Sequence, residues 1–523
     1  MTAALARSRY AGLAGSALIA AGGYGAGATP WSDPGPRWES SPGYLLGLGA
    51  WVVGLALMAV AWWRTGSQSP SGRWVVVTAV LWLLPLLLVS PLGSRDVYAY
   101  ACQGYVYGHG LDPYAVAPQA GGCPWLDTVT PMWRQTVAPY GPLAVTLSAV
   151  AAATGHLLGA LGVLRLVAVA GVAVAALAVP PLARACGTDP PSAAWLGLAT
   201  PLVGIHLVAG AHHDALMLGL LLAALATATT TRSAAPAAPA REGHSAQPDA
   251  TAQPGNSVRS GEWGTALAGV LIGLAVAVKV TAVVALPFVV LLARPGGRWV
   301  RTVLVAVVPA AAALGAVSLA AGLGFGWVHA LPGLDAPRAW LSVPTGLGTA
   351  LSGPFRLVGR PDLAATTLHM VRAVAWYALL PATLLALWWK ARRTDDVRTI
   401  LAACGLAFAA LVALAPVVYP WYAAPALLLL ATTTARRAVS APAGTSDRDR
   451  TVAPAGTSDR DRTATHGRIV AGLTVGLAAV LLPDSHNIAH MTLWPGAIAE
   501  LVLAIALAIG FYRRARVRSS TGS

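Results

Sequence analysis

The stretch WVVVTAVLWLLPLLLVSPLGSRDVYAYACQGYVYGHGLDPY, Trp74 to Tyr114, changes character in its middle. Up to about Leu92 it is an almost unbroken apolar run, the length a helix needs to cross a bilayer core. Arg95, Asp96, Tyr98, Tyr100, Gln103, Tyr105, Tyr107 and His109 then follow at once. A dense set of ionisable and hydrogen-bonding side chains where a membrane helix emerges into water reads as a site. An aspartate in a first helical turn complements the helix dipole, so a helix is expected to start there. Asp96, Tyr100 and Gln103 then share one face of it. An acid held at a membrane surface suits a general base, which makes Asp96 the candidate catalytic residue.

The whole chain fits this reading. Of its 523 residues 56% are hydrophobic and 11% charged, a composition far from that of soluble domains. Apolar runs recur at about 9–28, 44–63, 73–92, 165–183, 194–211, 213–231, 263–279, 280–294, 301–322, 366–390, 397–415, 419–434, 467–482 and 491–511, so the fold class is all-α, a polytopic membrane protein of about 14 transmembrane helices (range about 12–14). The net charge of +15 need not imply nucleic acid. Its lysines and arginines fall mainly in alternate loops, which marks a cytoplasmic side and places both termini there. The same bias makes Tyr140 to Gly162, although apolar, an interfacial helix rather than a span, because a crossing there would invert every later loop. Arg7 and Arg9 precede the first apolar run, which is expected to stay as an uncleaved helix.

This topology divides the chain into an N-terminal membrane half at 1–230 with a large catalytic outer loop at 93–164, a disordered cytoplasmic linker at 231–262, a C-terminal membrane half at 263–431, a second disordered cytoplasmic linker at 432–467, and a last helix pair with a basic tail at 468–523. Both linkers are low in complexity. The second carries APAGTSDRDRT twice, at 441–451 and 453–463. Cys102 and Cys123 share the outer loop, a compartment that permits a disulfide, and the sequence leaves its formation open.

Further polar clusters fall at the outer ends of spans. Gly210-Ala211-His212-His213-Asp214 opens one helix, and such groups in an apolar setting need a cavity or a partner. Adjacent histidines on a helix point about 100 degrees apart and no third spaced ligand is evident, so no metal ligand set is assigned. Hydrogen bonding to a sugar or phosphate suits them better. Lys279 interrupts an apolar run, either as a snorkelling lysine or as a counter-charge for phosphate. Trp327, His329, Asp335, Arg338 and Trp340 mix cations with aromatics, suited to phosphate and to sugar faces. Tyr419-Pro420-Trp421-Tyr422 and Pro483-Asp484-Ser485-His486-Asn487 repeat that chemistry. Arg372 and Glu500 read as a structural pair or as part of a polar cavity. There is no phosphate-binding Walker loop, dinucleotide fingerprint or sizeable soluble domain. An enzyme working on the outer face without nucleotide needs an activated donor carried by a lipid.

The segments SRDVYAYACQGYVYGHGLDPY, WRQTVAPYGPL at 133–143, HLVAGAHHDALMLGLLLA at 206–223 and KVTAVVALPF at 279–288 together resemble the polyprenol-phosphomannose-dependent α-1,6-mannosyltransferases of the GT-C superfamily. The resemblance covers most of the membrane region and leaves out the linkers. It implies an inverting transferase that moves mannose from polyprenyl-phosphate-mannose to a growing α-1,6-mannan lipoglycan on the outer face of the plasma membrane, with the bilayer as its other partner and no nucleic acid. Asp96 takes the place of the family's loop acid and Asp214 that of the acid at the outer end of a later helix. Where the family often has His-Asn-Asp, this chain has His212-His213-Asp214. Arg95, His212, His213, Asp214, Lys279 and Arg338 are then candidates for the donor's phosphate and sugar. Tyr98, Tyr100, Gln103, His109, Tyr140 and Trp340 are candidates for the acceptor. No required cofactor is visible, and the need for a divalent cation stays open. Transfer of another sugar, glucosyl or arabinosyl, and transport of lipid-linked sugars are the competing readings.

Overall fold

The computed structural model describes residues 2–30, 42–66, 68–233, 254–293, 299–331, 337–436 and 457–520. Among them every regular element is helical: α1 Ala3–Gly25, α2 Pro42–Gly66, α3 Gly72–Leu88, α4 Asp96–Gly108, α5 Pro131–Arg134, α6 Pro142–Ala152, α7 Leu157–Ala185, α8 Pro190–Gly197, α9 Asp214–Ser233, α10 Pro254–Val278, α11 Leu286–Ala293, α12 Trp299–Ala320, α13 Val343–Leu357, α14 Pro361–Ala373, α15 Leu380–Ala391, α16 Val397–Leu414, α17 Ala424–Thr434, α18 Thr457–Ala479, α19 Ile488–Met491 and α20 Leu493–Ser520. Eight helical stretches are long and apolar enough to cross a membrane: Pro42–Gly66, Leu157–Ala185, Asp214–Arg232, Gly261–Val278, Trp299–Ala320, Pro361–Ala391, Val397–Leu414 and Leu493–Gly510. The chain is a membrane-embedded helical protein.

The remaining apolar runs are shorter or broken, and the breaks have visible causes. Lys279 is extended (φ −152°, ψ 126°), so the run at 263–294 becomes α10, a 3₁₀ turn Val280–Ala285 and the short α11. Pro420 opens a 3₁₀ turn Pro420–Ala423 ahead of α17. The run at 194–211 is α8 followed by a π-helical segment Val203–Ala209, a geometry frequent at functional sites.

Three expectations are corrected. Tyr140–Gly162 is not one helix. α6 has 11 residues, about 16 Å at 1.5 Å per residue, and Gly155 at φ +76° ends the segment. His156 then caps α7 by accepting from the Gly159 amide, so the span expected at 165–183 begins at Leu157. The linker boundaries also move: 254–261 is helical within α10, and α18 starts at Thr457. Residues 231–233 belong to α9 and 432–434 to α17, while 234–253 and 437–456 lie outside the described residues. Finally α13, expected as loop, follows a strong start signal, since Ser342 accepts from the Thr345 amide and Pro344 stands in the first turn.

Close backbone approach sets the helix positions that matter here. A Cβ on Gly104 of α4 would overlap the Ser148 carbonyl of α6, one on Gly141 the Ala277 carbonyl at the end of α10, and one on Gly171 of α7 the Ala215 carbonyl of α9. Small residues at such crossings are how packed membrane helices come together. Arg165 on α7 completes the frame by donating to the carbonyls of Leu87 at 2.8 Å, Val89 at 2.8 Å and Ala209 at 3.0 Å. It thereby ties the end of α3 to the end of the π segment.

Candidate active site

α4 starts where expected. Gly93, with φ +69°, makes the turn out of α3, and a Cβ there would sit 3.1 Å from the His206 ring. Both reasons call for glycine. Ser94 Oγ accepts from the Asp96 amide at 3.1 Å, and Asp96 opens the helix. The Asp96 side chain stays partly accessible, with Oδ1 accepting from the Trp133 indole N–H of α5 at 3.0 Å. Burial pushes the Asp96 carboxyl up to about 6, against the opposing pull of the Trp133 bond and the nearby Lys279 charge, while Asp214 adds to the rise.

One turn along the same face, the Tyr100 hydroxyl bonds His212 Nδ1 at 3.1 Å and accepts from the Tyr140 hydroxyl at 3.2 Å. Its ring stacks on His213 at 4.3 Å, and His213 Nε2 bonds Ser148 Oγ at 3.1 Å. Gln103 is buried on the next turn. The two histidines therefore face different partners, as their adjacency requires. They are aimed by the turn after the π segment, where Ala211 takes φ +52°, a left-handed conformation that costs a non-glycine residue about 1–3 kcal/mol and persists only where surrounding contacts enforce it.

Asp214 and Lys279 come together from α9 and from the break after α10. Lys279 Nζ donates to both carboxylate oxygens, at 2.7 and 2.9 Å, with side-chain exposures of 13% for Lys279 and 1% for Asp214. The ammonium also lies 4.0 Å from the centroid of the Tyr422 ring. A snorkelling lysine is thereby ruled out, because the charge is held inside by an acid and an aromatic face. Trp421 closes the cluster, sandwiched between His212 at 3.7 Å and Tyr419 at 4.9 Å.

Asp96, Tyr100, Tyr140, His212, His213, Asp214 and Lys279 thus belong to one neighbourhood. Other expected site residues do not join it. Tyr98, about 200 degrees around the helix from Asp96 and Tyr100, is buried with the Arg95 guanidinium over its ring at 5.3 Å. Arg95 is itself buried, donating to the carbonyls of Thr128 and Pro30, each at 2.8 Å. His109 caps α4 and is exposed, bonding the Tyr105 carbonyl at 2.8 Å. Trp340 donates to Thr492 Oγ1 at 2.8 Å and the Arg338 carbonyl bonds His490 at 2.6 Å, so both brace the chain near α19. Trp327 packs in a small core with Tyr114, Ala138, Val145 and Leu323, His329 is exposed, and Asp335 lies outside the described residues. Cys102 and Cys123 form a disulfide, Cα to Cα 5.4 Å. Arg372 and Glu500 do not form a mutual ion pair: Arg372 Nε donates to Thr345 Oγ1 at 3.0 Å, and Glu500 lies against Gly346 with Oε2 buried and unbonded.

Trp133 and Ser148 are given no role by the sequence, whereas the Tyr419–Tyr422 run is read there as suited to phosphate and sugar faces. Trp133 and the 419–422 run stood within quoted motifs, but only contacts across the fold bring them to the site. Among the described residues no three His, Cys, Asp or Glu side chains group as metal ligands.

Fold and site define a class: a polytopic helical membrane protein with a partly open carboxylate beside a buried lysine–aspartate pair, under an aromatic wall. Residues 9–295 match the family model described as alpha-(1->6)-mannopyranosyltransferase, N-terminal domain, and residues 344–446 match the MptB C-terminal domain. The chain belongs to the alpha-(1->6)-mannopyranosyltransferase family. It is 36% identical to one alpha-(1->6)-mannopyranosyltransferase of Mycobacterium tuberculosis, over 83% of this chain and 79% of the relative. It is 34% identical to alpha-(1->6)-mannopyranosyltransferase A of the same organism, over 83% and 82%. With alpha-(1->6)-mannopyranosyltransferase B of Corynebacterium glutamicum it shares 31% identity, over 81% and 72%. No solved structure matches the chain.

Proposed function

We propose that the protein is an inverting GT-C mannosyltransferase that moves mannose from polyprenyl-phosphate-mannose to a growing α-1,6-mannan on the extracytoplasmic face of the plasma membrane. In this reading about 14 segments enter the bilayer, both termini are cytoplasmic, and the Asp96 end of the bundle faces outward. The observation that carries it is the partly accessible Asp96 carboxylate near the Lys279–Asp214 pair, in a chain whose relatives are named for α-1,6-mannosyl transfer.

An acceptor hydroxyl attacks the anomeric carbon of the β-linked donor from the face opposite the phosphate. The new C–O bond forms as the bond from C1 to the phosphate oxygen breaks, and the electron pair leaves with the phosphate. Inversion leaves an α-mannoside. Asp96 takes the hydroxyl proton during attack and so must be ionised and within hydrogen-bond reach of the acceptor. Lys279 lies where charge develops on the leaving phosphate, held in place beforehand by Asp214, as electrostatic stabilisation requires. Tyr419 and Tyr422, both partly exposed, offer faces for sugar rings. His212, His213, Tyr100 and Tyr140 form the buried layer behind them.

The test is transfer of radiolabelled mannose from synthetic polyprenyl-phosphomannose to a short α-1,6-mannoside by purified protein, beside Asp96→Asn. Transfer by the wild type and its loss in the variant is the expected result. A folded wild type that transfers nothing yet moves the lipid across liposomes would overturn the reading in favour of transport.

A further inference from the structure

Trp133 lies on α5, a helix of four residues, too short to hold a side chain in place by itself. The surrounding chain is nevertheless tied back to α4, which carries Asp96, at two points, and to itself at several more. The Cys102–Cys123 disulfide joins the middle of α4 to the loop. Arg95, the neighbour of Asp96 in sequence, donates from Nε to the Thr128 carbonyl at 2.8 Å. Arg134, next to Trp133, donates to the Val129 carbonyl at 2.9 Å and the Asp127 carbonyl at 3.2 Å, and its own carbonyl accepts from the Gln119 amide at 2.9 Å. The Ala138 amide closes the loop on the Pro113 carbonyl at 2.9 Å. The outcome of this bracing at the site is one contact, from the Trp133 indole N–H to Asp96 Oδ1 at 3.0 Å.

We propose that Trp133 is a positioning residue for the base: its N–H holds Oδ1 of Asp96, turning Oδ2 toward the acceptor hydroxyl, and the disulfide-clipped loop serves to deliver it. This rests on the reading of Asp96 as general base. An indole N–H donates and cannot accept, so the bond favours the ionised carboxylate, the form that takes a proton. It also limits the carboxylate's rotation, which matters because small misplacements of a catalytic group cost large factors in rate. Arg95 then serves the site through backbone carbonyls rather than through substrate. Besides this bond, Ser94 before α4 hydrogen-bonds the same carboxyl, and the charged and titratable groups that bear on it are Lys279, after α10, Asp214, on α9, and the phenols of Tyr100, Tyr140, Tyr419 and Tyr422.

The experiment is the pH profile of mannosyl transfer for Trp133→Phe against the wild type, with donor and acceptor KM and the thermal midpoint recorded. Loss of a hydrogen bond to the charged form moves the rising limb upward by about one pH unit. The rate on the alkaline plateau falls by about tenfold, with KM values unchanged and the thermal midpoint lowered by no more than the loss of one hydrogen bond to a carboxylate accounts for. A uniform loss at every pH, a rise in KM alone, or no change would overturn the proposal, since each points to packing, substrate stacking or no role. Should Trp133→Phe fail to fold, benzothienylalanine at position 133 keeps the ring size and removes only the N–H, and the same limb shift is required of it. If Asp96→Asn transfers normally, the base reading itself is lost. If Asp96→Asn is inactive while the Trp133 variants leave the limb in place, only the positioning role is lost.

Discussion

Two polar clusters, one around Asp96 and one around Trp340, draw on the same kinds of residue and use them differently. At the first, Asp96, Trp133, Lys279, Tyr419 and Tyr422 keep accessible surface above a buried layer of Tyr100, His212, His213 and Trp421. At the second, each polar group spans two chain segments: Trp340 to Thr492, His490 to the Arg338 carbonyl, Arg372 to Thr345, Ser342 to the Ala415 carbonyl at 2.6 Å. The first arrangement gathers a carboxylate, an ion pair and aromatic rings into one neighbourhood, whereas the second spreads its hydrogen bonds over separate pairs of chain segments. That bracing still bears on the site, because Thr345 Oγ1 donates to the Pro416 carbonyl at 2.7 Å, a few residues before Tyr419. Residue type alone does not separate a ligand from a brace.

The largest effect that sharpens this contrast is expected for Asp96→Asn, a loss of transfer of about 10²–10⁴-fold with the Cys102–Cys123 disulfide intact, measured with purified protein. A comparable loss in Trp340→Phe would break the comparison.

Lys279→Met should both abolish transfer and destabilise the fold by about 3–5 kcal/mol, because it leaves the Asp214 charge buried without its partner. Lys279→Met combined with Asp214→Leu should regain most of that stability and none of the transfer. Thermal unfolding in detergent, read beside activity, separates the two roles. Equal destabilisation in single and double variants would mean that the pair is not the unit it looks to be.

The pH dependence follows from the raised Asp96 carboxyl. With its midpoint at about 6, the carboxylate is protonated below that value and cannot accept the acceptor's proton, so transfer should rise through about pH 6 to a plateau. A limb that stays near pH 4, an ordinary carboxylate value, would contradict the burial described here.

Effects at the bracing cluster should be smaller. Trp340→Phe removes one hydrogen bond to Thr492 and is expected to lower stability by about 1 kcal/mol, leaving kcat within about twofold. Smallest of all, Glu500→Met removes an acid whose Oε2 is buried without a partner, and stability should stay level or rise by about 1 kcal/mol.

How far each feature could be read in the sequence depends on the range of the interaction behind it. The start of α4 at Asp96 and the helical reading of its face are local, set by dipole, turn and a spacing of three and four residues. Long spans such as Leu157–Ala185 and Trp299–Ala320 announce themselves by apolar length. The breaks were harder. Lys279 stood out as a polar intruder in an apolar run, but that the backbone opens there, and that the ammonium turns to Asp214 rather than to water, depends on α9 lying alongside. α13 carried its start signal in Ser342 and Pro344, yet its apolar face becomes meaningful only against α14 and α20.

By itself the sequence determined that this is a membrane-embedded helical protein, which polar residues interrupt its apolar runs, and the family to which its motifs belong. These rest on composition, length and short spacings, quantities carried by neighbouring residues. Only the tertiary structure decided which interruptions meet. It joined Asp96 to Trp133, paired Lys279 with Asp214, sandwiched Trp421 between His212 and Tyr419, and withdrew Arg95, Tyr98 and Trp340 into supporting contacts. A buried charge or hydrogen-bonding group must find a partner wherever the fold brings one within about 3 Å, and for residues far apart in the chain that choice is made by packing.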